Sequence, residues 1–332
     1  MSFFDLPEEQ FSKNNKTGAF KEDPNIYDPD PDKYNGSYKS VIRFIPYLKD
    51  KSKSKYTKYT CKIYNPLTQE KVIVDCPSNE EKPSFLWTLD SVIRSLKKEE
   101  PDLHAELSKS VSRWYTHVAP IYIKKDPQRP DLENNIKFLQ FRSQIDQIIE
   151  QQINPEDVDG LMTVKKVNPF HLLEGKDFLC SVSKKTREFR DWSKCKFMDE
   201  VSPLVFKIGD KMIAASENDK VIKLLEEFLS KNTPDITQYL HKSWTEETYS
   251  QVASAVVAAI PQTTILEMAL HKSKDSKMNA LIREKLDSHK SGSHSSKFDD
   301  LEFKSTKKSE PKPVESSKSV EDDEYDNLFL DL

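Results

Sequence analysis

The amino-acid sequence predicts an α+β protein built on a small β-barrel or a strongly bent sheet. Two observations favour this fold class. Short strand patterns alternate with amphipathic helical patterns up to about residue 200, and the pattern becomes purely helical from about Ser216. The chain of 332 residues has room for one large domain or two smaller ones with extensions. Its charged fraction of 32% is high for a globular chain and indicates unfolded segments at the edges.

The predicted strands are short segments in which β-branched and aromatic residues alternate with polar ones. Ordered structure is expected to begin with the first of them, where Val41, Arg43 and Ile45 alternate with Ile42 and Phe44. The longest strand ends at an Asp-Pro pair, which disfavours further pairing. The predicted strands are "SVIRFIPYL", "YTKYTCKIYN", "EKVIVDC", "RWYTHVAPIYIKKDP", "NNIKFLQF" and "DFLCSVSKK".

The predicted helices have apolar residues at three- and four-residue spacing and polar side chains that can cap them. In "SFLWTLDSVIRSL", Ser84 is the expected N-cap of a helix whose apolar face includes Phe85, Leu89, Val92 and Ile93. Two further helices are predicted at "PDLHAELSKSV" and "RSQIDQIIEQQI". The three C-terminal helical stretches are "NDKVIKLLEEFLSK", "TEETYSQVASAVVAAI" and "TTILEMALHKSKDSKMNALIREKLDSH", with Asn218, Thr245 and Thr263 as expected caps.

Composition divides the chain into five segments. Residues 1–37 are dense in Asp and Pro and predict an acidic, weakly ordered N-terminal arm. Residues 38–200 hold the strand patterns of the core, and residues 201–287 form a helical region. Residues 288–319 are rich in Ser and Lys and predict a flexible linker, and residues 320–332 form an acidic and apolar tail.

The net charge of −4 conceals an uneven distribution of charge along the chain. Residues 1–35 carry 4 Lys and Arg against 8 Asp and Glu, and residues 36–198 carry 29 against 22, a net charge of +7. Residues 199–319 carry 18 against 19, and residues 320–332 carry six acidic residues and no basic one. A basic middle suggests a polyanionic partner. An ordinary solvated surface is the alternative for an excess of this size.

Catalytic and cofactor motifs are absent from the sequence. It has 6 glycines and no GxGxxG, GxxxxGK[ST], GxSxG or HExxH pattern, so no catalytic residue and no cofactor is predicted, and the protein is not expected to be an enzyme. The cysteines Cys61, Cys76, Cys180 and Cys195 contain no CxxC pair and are expected to be reduced, cytosolic thiols. No apolar run approaches the roughly 18 residues that cross a bilayer, so no membrane partner is expected.

Three stretches combine cations with aromatic rings at strand spacing. Single-stranded nucleic acid needs this combination, because cations follow the phosphates while exposed rings stack on unpaired bases for about 1–3 kcal/mol each. The alternative makes such rings core residues, and it is favoured for Tyr122, Phe138 and Phe178. The candidate nucleic-acid-binding residues are Lys109, Arg113, Trp114, Tyr115, Lys124, Lys125, Phe138, Phe141, Arg142, Lys184, Lys185, Arg187, Phe189, Arg190, Trp192 and Lys194.

The segment "TREFRDW" differs from the other candidates. It has an aromatic residue at every third position, four charged residues and no aliphatic one. A segment of this composition has little to bury, so an exposed, base-stacking role is expected for Phe189 and Trp192.

Three motifs in the same order give the chain a resemblance to a known family. They are "WYTHVAPIYIKKDP", a long strand opened by an aromatic pair, then "GKDFLCSVSKKTREFRDWSKCKF", and last the acidic tip "DDEYDNLFLDL". In these motifs the chain resembles the single-stranded DNA-binding, helix-destabilising proteins of T-even-type bacteriophages. The resemblance implies an oligonucleotide-binding β-barrel with an inserted helical lobe over residues 38–200, and base stacking by Phe189 and Trp192.

Two features depart from the pattern of that family. The family binds zinc through one His and three Cys, whereas this chain keeps only Cys61 and Cys76 in that region, so the zinc site is expected to be lost and no metal is predicted. The family also begins with a basic segment that links neighbouring subunits on DNA. The N-terminus here is acidic, which leaves self-association along DNA open.

The C-terminal tip is expected to combine two roles. Its acidic residues can compete with phosphates for a basic groove, and its apolar residues suggest a short anchor for partner proteins. The resemblance implies that these partners are phage replication and recombination proteins, and a solubilising tail is the alternative. The candidate tail residues are Asp322, Asp323, Asp326, Leu328, Phe329, Leu330, Asp331 and Leu332.

With the basic and aromatic stretches, the resemblance implies a single-stranded DNA-binding protein that coats and protects DNA in phage replication, recombination and repair, in the cytoplasm of the infected bacterial host. The main alternative is a phage structural or scaffold protein with a basic assembly surface. A nuclease is a third and weaker interpretation, because no spacing of carboxylates indicates a metal site.

Overall fold

The chain folds into two compact units. A computed structural model describes residues 23–76, 83–155, 166–185 and 190–292. The first unit takes its described residues from 1–55 and 118–235, and the second takes them from 56–117 and 236–292. The sequence-predicted boundary at residue 200 does not coincide with this division, because the strands and helices of residues 56–117 share a core with the C-terminal helices.

The described residues form a mixed α+β fold, which confirms the predicted class at this level. The strands are β1 (Ile26–Tyr27), β2 (Ser37–Phe44), β3 (Tyr56–Tyr64), β4 (Lys71–Asp75), β5 (Val111–Lys125), β6 (Ile136–Phe141), β7 (Lys176–Lys184), β8 (Arg190–Asp191), β9 (Lys196–Val201), β10 (Val205–Ile208) and β11 (Lys211–Ala214). The helices are α1 (Phe85–Ser95), α2 (Pro101–Ser110), α3 (Ser143–Ile153), α4 (Asp219–Asn232), α5 (Glu246–Ala259), α6 (Thr263–Lys272) and α7 (Ser276–Gly292). Of these described helices, none has the length and apolar character to cross a membrane.

Strand β2 lies at the centre of the sheet in the first unit. It pairs antiparallel with β7 on one side and with the last part of β5 on the other, and β6 continues the sheet beyond β5. Tyr38, Ser40, Ile42 and Phe44 alternate along β2 and are all buried, as the period of a strand requires. Strand β1 ends the sheet beside β6, and β8 and β9 pair with β7. No pairing among the described residues joins these two edges, so the described strands do not close into a barrel.

Two apolar clusters stabilise the first unit. The larger one surrounds Phe44, whose ring lies 5.5 Å from that of Phe178 and 6.0 Å from that of Phe141. The smaller one joins the hairpin β10–β11 and helix α4 to the end of β5, where the rings of Tyr122 and Phe206 are 5.0 Å apart. Burial of these large side chains contributes on the order of 1.5–3 kcal/mol each.

A third apolar cluster forms the core of the second unit. Helices α1, α2, α5, α6 and α7 pack against the hairpin β3–β4 and the first part of β5. Cys61 and Ile63 point into this core from β3, and the predicted apolar face of α1 is buried there, including Phe85 and Leu89. The helical prediction for α1 is therefore confirmed, together with its buried face.

Side-chain caps begin three helices where the sequence predicts them. The side chain of Ser84 accepts a hydrogen bond from the Trp87 amide at 3.3 Å, and Asn218 and Thr245 cap α4 and α5 in the same way. The prediction for Thr263 was wrong, because α6 has Gln262 in the cap position without a side-chain bond. The last predicted helix is also divided at Ser273–Asp275. Asp275 accepts the Met278 amide at 3.1 Å, and such local bonds compete with a continuous helix.

Part of the predicted N-terminal arm is regular structure. Strand β1 pairs parallel with β6, and residues Pro31–Lys33 form a short 3-10 helix whose N-cap is Asp30. Tyr27 is 1% exposed, so the prediction of weak order was wrong for residues 23–37. The sequence shows the high content of Asp and Pro but not the long-range partner that orders it.

That partner is the carboxylate of Asp126, which is fully buried at the end of β5. Its Oδ2 accepts hydrogen bonds from the hydroxyls of Tyr27 at 2.8 Å and Tyr38 at 2.5 Å. Its Oδ1 accepts the amides of Gln128 and Arg129 at 3.2 and 3.0 Å. Burial, and with it the nearby carboxylate, raises the pKa of both tyrosine hydroxyls far above the ordinary value, so both remain donors at neutral pH.

Arg43 is a second buried polar anchor of the first unit. Its guanidinium pairs with Asp177 at 3.3 Å and donates to the carbonyls of Ser202 at 2.9 Å and His171 at 3.2 Å. Gly175 allows this approach, because a Cβ there would lie 2.7 Å from Nη2 of Arg43 and 2.5 Å from the His171 carbonyl oxygen. Lys124 pairs with the same Asp177 carboxylate.

Replacing Asp126 with Ala is expected to lower the free energy of unfolding by about 3 kcal/mol or more, because two hydroxyls and two amides lose a charged acceptor in the interior. Urea unfolding followed by circular dichroism measures the change. Asp131→Ala is the matched control, since this side chain is 69% exposed and its loss should cost less than about 0.5 kcal/mol. Equal stability of the two variants would contradict the role given to Asp126.

Candidate nucleic-acid interface

The two faces of strand β3 differ in what they contact. Cys61 and Ile63 are buried in the core of the second unit, and the ring of Tyr59 lies 4.8 Å from that of Trp87 on helix α1. Because side chains alternate along a strand, the residues between these point away from the helices. Lys62 and Tyr64 are two of them, and both are partly exposed.

Strand β4 adds a cation and an aliphatic residue to this outer side. Ile73 is paired with Lys62 and Lys71 with Tyr64, so directly opposite side chains share one face. Ile73 is 52% exposed, and the ammonium of Lys62 lies 5.8 Å from the centre of the Tyr64 ring. Partial burial, and then the charge of Lys71, lowers the pKa of Lys62. The two lysines therefore concentrate positive charge beside an aromatic ring.

Strand β5 places Trp114 on the same outer side. Its neighbours Arg113 and Tyr115 face inward, because both approach the ring of Tyr59, at 5.7 and 6.1 Å. Trp114 lies between them in sequence and so points to the opposite side, where it is partly exposed. We call Lys62, Tyr64, Lys71, Ile73 and Trp114 the open face of the second unit.

Neighbouring positions on β3 are covered by the chain itself. The ring of Tyr56 lies 5.9 Å from that of His241, and its hydroxyl accepts the His241 amide at 3.1 Å. Lys58 pairs with Asp75 at 2.9 Å. The open face is thus limited on one side by the segment that precedes helix α5.

Two of the predicted binding residues in the second unit serve the interior instead. The guanidinium of Arg113 lies 3.4 Å from the centre of the Trp87 ring and 3.4 Å from the carboxylate of Asp90. The ring of Tyr115 contacts that of His117 at 5.0 Å as well as Tyr59. Neither side chain lies on the open face. Lys109, in the last turn of α2, is exposed.

Phe138 and Phe141 are core residues of the first unit, so their predicted contact with nucleic acid was wrong. Phe138 is 0% and Phe141 3% exposed, and their rings pack against Tyr47 and Phe44. The two rings are three positions apart on β6 and so lie on opposite faces of the strand, and both faces are covered at these positions. The alternative interpretation of a core residue therefore holds for Phe138. Arg142, directly after the strand, is exposed.

The basic stretch "SVSKKTREFRDWSKCKF", which we call the second basic stretch, lies partly beside acidic residues. Lys184 pairs with Asp32 at 2.7 Å, and Arg190 pairs with Asp28 and with Asp30 at 3.4 Å. Trp192 is partly buried, packs against the larger cluster of the first unit and donates its amide to Gln144. Lys125, Lys185 and Lys194 are exposed, while Lys124 is held by Asp177. Arg187, Phe189 and the tail residues Asp322, Asp323, Asp326, Leu328, Phe329, Leu330, Asp331 and Leu332 lie outside the described residues.

The four cysteines form two buried pairs of free thiols. A hydrogen bond with Cys76, and then burial, raises the pKa of the Cys61 thiol well above its ordinary value, so this thiol is protonated at neutral pH. Sγ of Cys76 lies 3.1 Å from Oγ of Ser84. Within the described parts of the chain, no group of three or more His, Cys, Asp or Glu side chains is arranged to hold a metal ion.

Sequence reasoning missed four of the five residues of the open face. Lys62 and Tyr64 lie in a stretch that was interpreted only as a strand, and Lys71 and Ile73 in the next one. The signal was present in Lys62 and Tyr64, which alternate with the buried Cys61 and Ile63. To recognise this signal, one must know which of the two alternating sets of side chains on the strand faces the core.

No protein-family model matches this chain, and no curated protein matches its sequence. The family resemblance therefore rests on three short motifs. The open face is supported independently by the contacts, exposure and charge of five residues in one unit.

Proposed function

We propose that this protein binds single-stranded DNA without catalysing a reaction, and that it coats and protects the strand during phage replication, recombination and repair. The observation that carries the proposal is the open face of the second unit, where two partly exposed rings and two lysines share one side of a sheet. Single strands differ from duplex in offering unpaired bases, which such rings can stack on.

Each part of the open face matches one part of a single strand. Trp114 and Tyr64 offer ring surfaces for bases, and Ile73 adds apolar area on strand β4. Lys62 and Lys71 supply charge for the phosphates. Partial burial, and then the charge of Lys71, disfavours the charged form of Lys62, so a phosphate that contacts both lysines also offsets this repulsion. Recognition of this kind does not depend on base sequence.

The finer proposal for the fold is an oligonucleotide-binding barrel. Such folds are partly open Greek-key barrels of few strands, so an unclosed sheet is compatible with it. The long strand β5 supports this proposal, since it pairs with β2, β3 and β6 along its fifteen residues. A phage structural or scaffold protein is the competing function. It predicts little affinity for oligo-dT, whereas the proposal predicts rapid, salt-sensitive binding with quenched Trp fluorescence.

We propose further that the acidic tail recruits replication and recombination proteins. Its six acidic residues lie next to four large apolar ones, a composition that suits a short motif which folds on binding. Self-association of the protein along DNA belongs to the same proposal.

Replacing Trp114 or Tyr64 with Ala is expected to weaken binding to oligo-dT by about 1–3 kcal/mol for each ring, because a stacked base loses its partner. Fluorescence anisotropy of a labelled oligonucleotide measures the affinity. Tyr249→Ala, on a partly exposed ring of helix α5, is the control and should leave affinity within about twofold. Full affinity of a folded double variant at Trp114 and Tyr64 would refute the open face as the binding site.

Lys62→Gln with Lys71→Gln is expected to change the salt dependence of binding. Each phosphate contact with a single strand contributes about −0.7 to the slope of log K against log salt, so the double variant should lose about 1.4 from the slope. Lys220→Gln with Lys223→Gln, on the exposed side of helix α4, removes the same charge as a control. An equal loss of slope in both double variants would show that only net charge matters.

Deleting residues 320–332 changes the formal net charge from −4 to +2 and is expected to tighten DNA binding. The gain should shrink at high salt, because the Debye length falls from about 8 Å at 0.15 M to about 3 Å at 1 M. Changing Leu328, Phe329 and Leu330 to Ser keeps every charge and should leave DNA affinity unchanged. If the Ser variant binds DNA as tightly as the deletion does, the apolar tip itself occupies the DNA site.

A further inference from the structure

The segment Asp28–Asp32 presents three carboxylates on one side of the first unit. It reads Asp-Pro-Asp-Pro-Asp, and both prolines are buried while the side chains of Asp28 and Asp32 are 50% and 49% exposed. Proline fixes φ and favours an extended residue before it, which suits Asp28 and Asp30, while Asp32 lies in the short 3-10 helix that follows. We call Asp28, Asp30 and Asp32 the acidic arm.

The acidic arm neutralises two cations of the second basic stretch. Arg190 contacts both carboxylate oxygens of Asp28, one of them at 3.2 Å, and also reaches Asp30 at 3.4 Å. Lys184 pairs with Asp32 at 2.7 Å. Partial burial opposes the charge of Arg190, but the hydrogen bond that Arg190 donates to Asp28 and the charges of the arm outweigh burial and raise the pKa of Arg190. The two-pronged contact is the geometry in which arginine also binds phosphate.

The backbone of the acidic arm is fixed from both ends. Tyr27, directly before it, is held by Asp126, and β1 pairs with β6. Asp30 caps the short helix by accepting the Asp32 amide at 3.1 Å. The arm cannot move away without breaking buried contacts. If another anion replaces the aspartates as partner of Arg190 or Lys184, these two side chains must therefore move instead.

We propose that the acidic arm is a built-in competitor for phosphate, which lowers the affinity of the second basic stretch for nucleic acid. This inference rests on the proposed function. A single anion gains little binding free energy when it replaces a carboxylate that already pairs with the cation. A polyphosphate strand that contacts several cations at once does gain, so the arm favours long single strands over isolated anions.

The competition has a consequence for salt dependence. When a phosphate pairs with Arg190 or Lys184, it displaces a carboxylate, and that carboxylate then binds a counterion from solution. The net release of counterions is then smaller than for a cation that had no internal partner. Removing the charge of the arm should make binding both tighter and more sensitive to salt.

The test neutralises the arm without changing its shape. Asp28→Asn, Asp30→Asn and Asp32→Asn are combined in one variant, and asparagine retains the capping ability of position 30. The control combines Asp199→Asn, Glu200→Gln and Asp210→Asn, three exposed positions of the first unit, and adds the same charge. Binding of labelled oligo-dT is measured at several salt concentrations, and urea unfolding verifies that both variants are folded.

The arm variant is expected to bind about tenfold more tightly than the wild-type protein at low salt, with a slope of log K against log salt that is steeper by about 1.4, for two phosphates. The affinity of the control variant for oligo-dT should rise less than about threefold, because its altered charges act on DNA only at a distance and are screened by salt. In a protein that also carries Lys184→Gln and Arg190→Gln, neutralising the arm should have no effect beyond that of the control.

Two outcomes would overturn the inference while leaving the proposed function intact. If the wild-type protein binds oligo-dT and the arm variant gains no more than the control, the carboxylates do not compete. If the arm variant binds more weakly, the ion pairs hold the stretch in its binding position instead. Failure of the wild-type protein and both variants to bind oligo-dT would reject the proposed function itself.

Discussion

The architecture of the first unit depends on one buried carboxylate. Asp126 collects two tyrosine hydroxyls and two backbone amides in a site from which water is excluded. Burying a carboxylate is costly unless each lone pair finds a donor, and four donors meet that condition here. The donors come from three separate parts of the chain, so this single acceptor ties the N-terminal arm, strand β2 and the turn after β5 together.

The same anchor determines the electrostatics of a distant sequence region. Because Tyr27 is held by Asp126, the aspartates that follow it lie beside Lys184 and Arg190, more than 150 residues further along the chain. The net charge of +7 over residues 36–198 therefore overstates the charge that a ligand can reach in that stretch. Lys124 and Arg113 show the same effect, since Asp177 and Asp90 already hold them. Counting charges along a chain ignores these pairings.

Local rules predicted local structure well. Ser84, Asn218 and Thr245 cap helices as expected, and the apolar spacing of α1 matches its buried face, because these features involve residues a few positions apart. The same rules failed for Phe141 and for the Asp- and Pro-rich arm. Alternation along a strand shows that its two faces differ. Which face is buried depends on the strands and helices that pack against it, and these are distant in sequence. The open face was missed for the same reason.

The two basic surfaces of this protein differ in one physical respect. Among the described residues no carboxylate pairs with Lys62 or Lys71, whereas Lys184 and Arg190 each have an aspartate within reach. A cation that lies beside another cation and has no carboxylate partner lowers its free energy when it meets any phosphate. The open face is therefore suited to the first contact with a nucleic acid. A paired cation gains only when the phosphate outcompetes its carboxylate, which requires a strand already held at several points. In the proposed function, the open face would bind nucleic acid broadly, whereas Lys184 and Arg190 would favour strands that contact several cations at once.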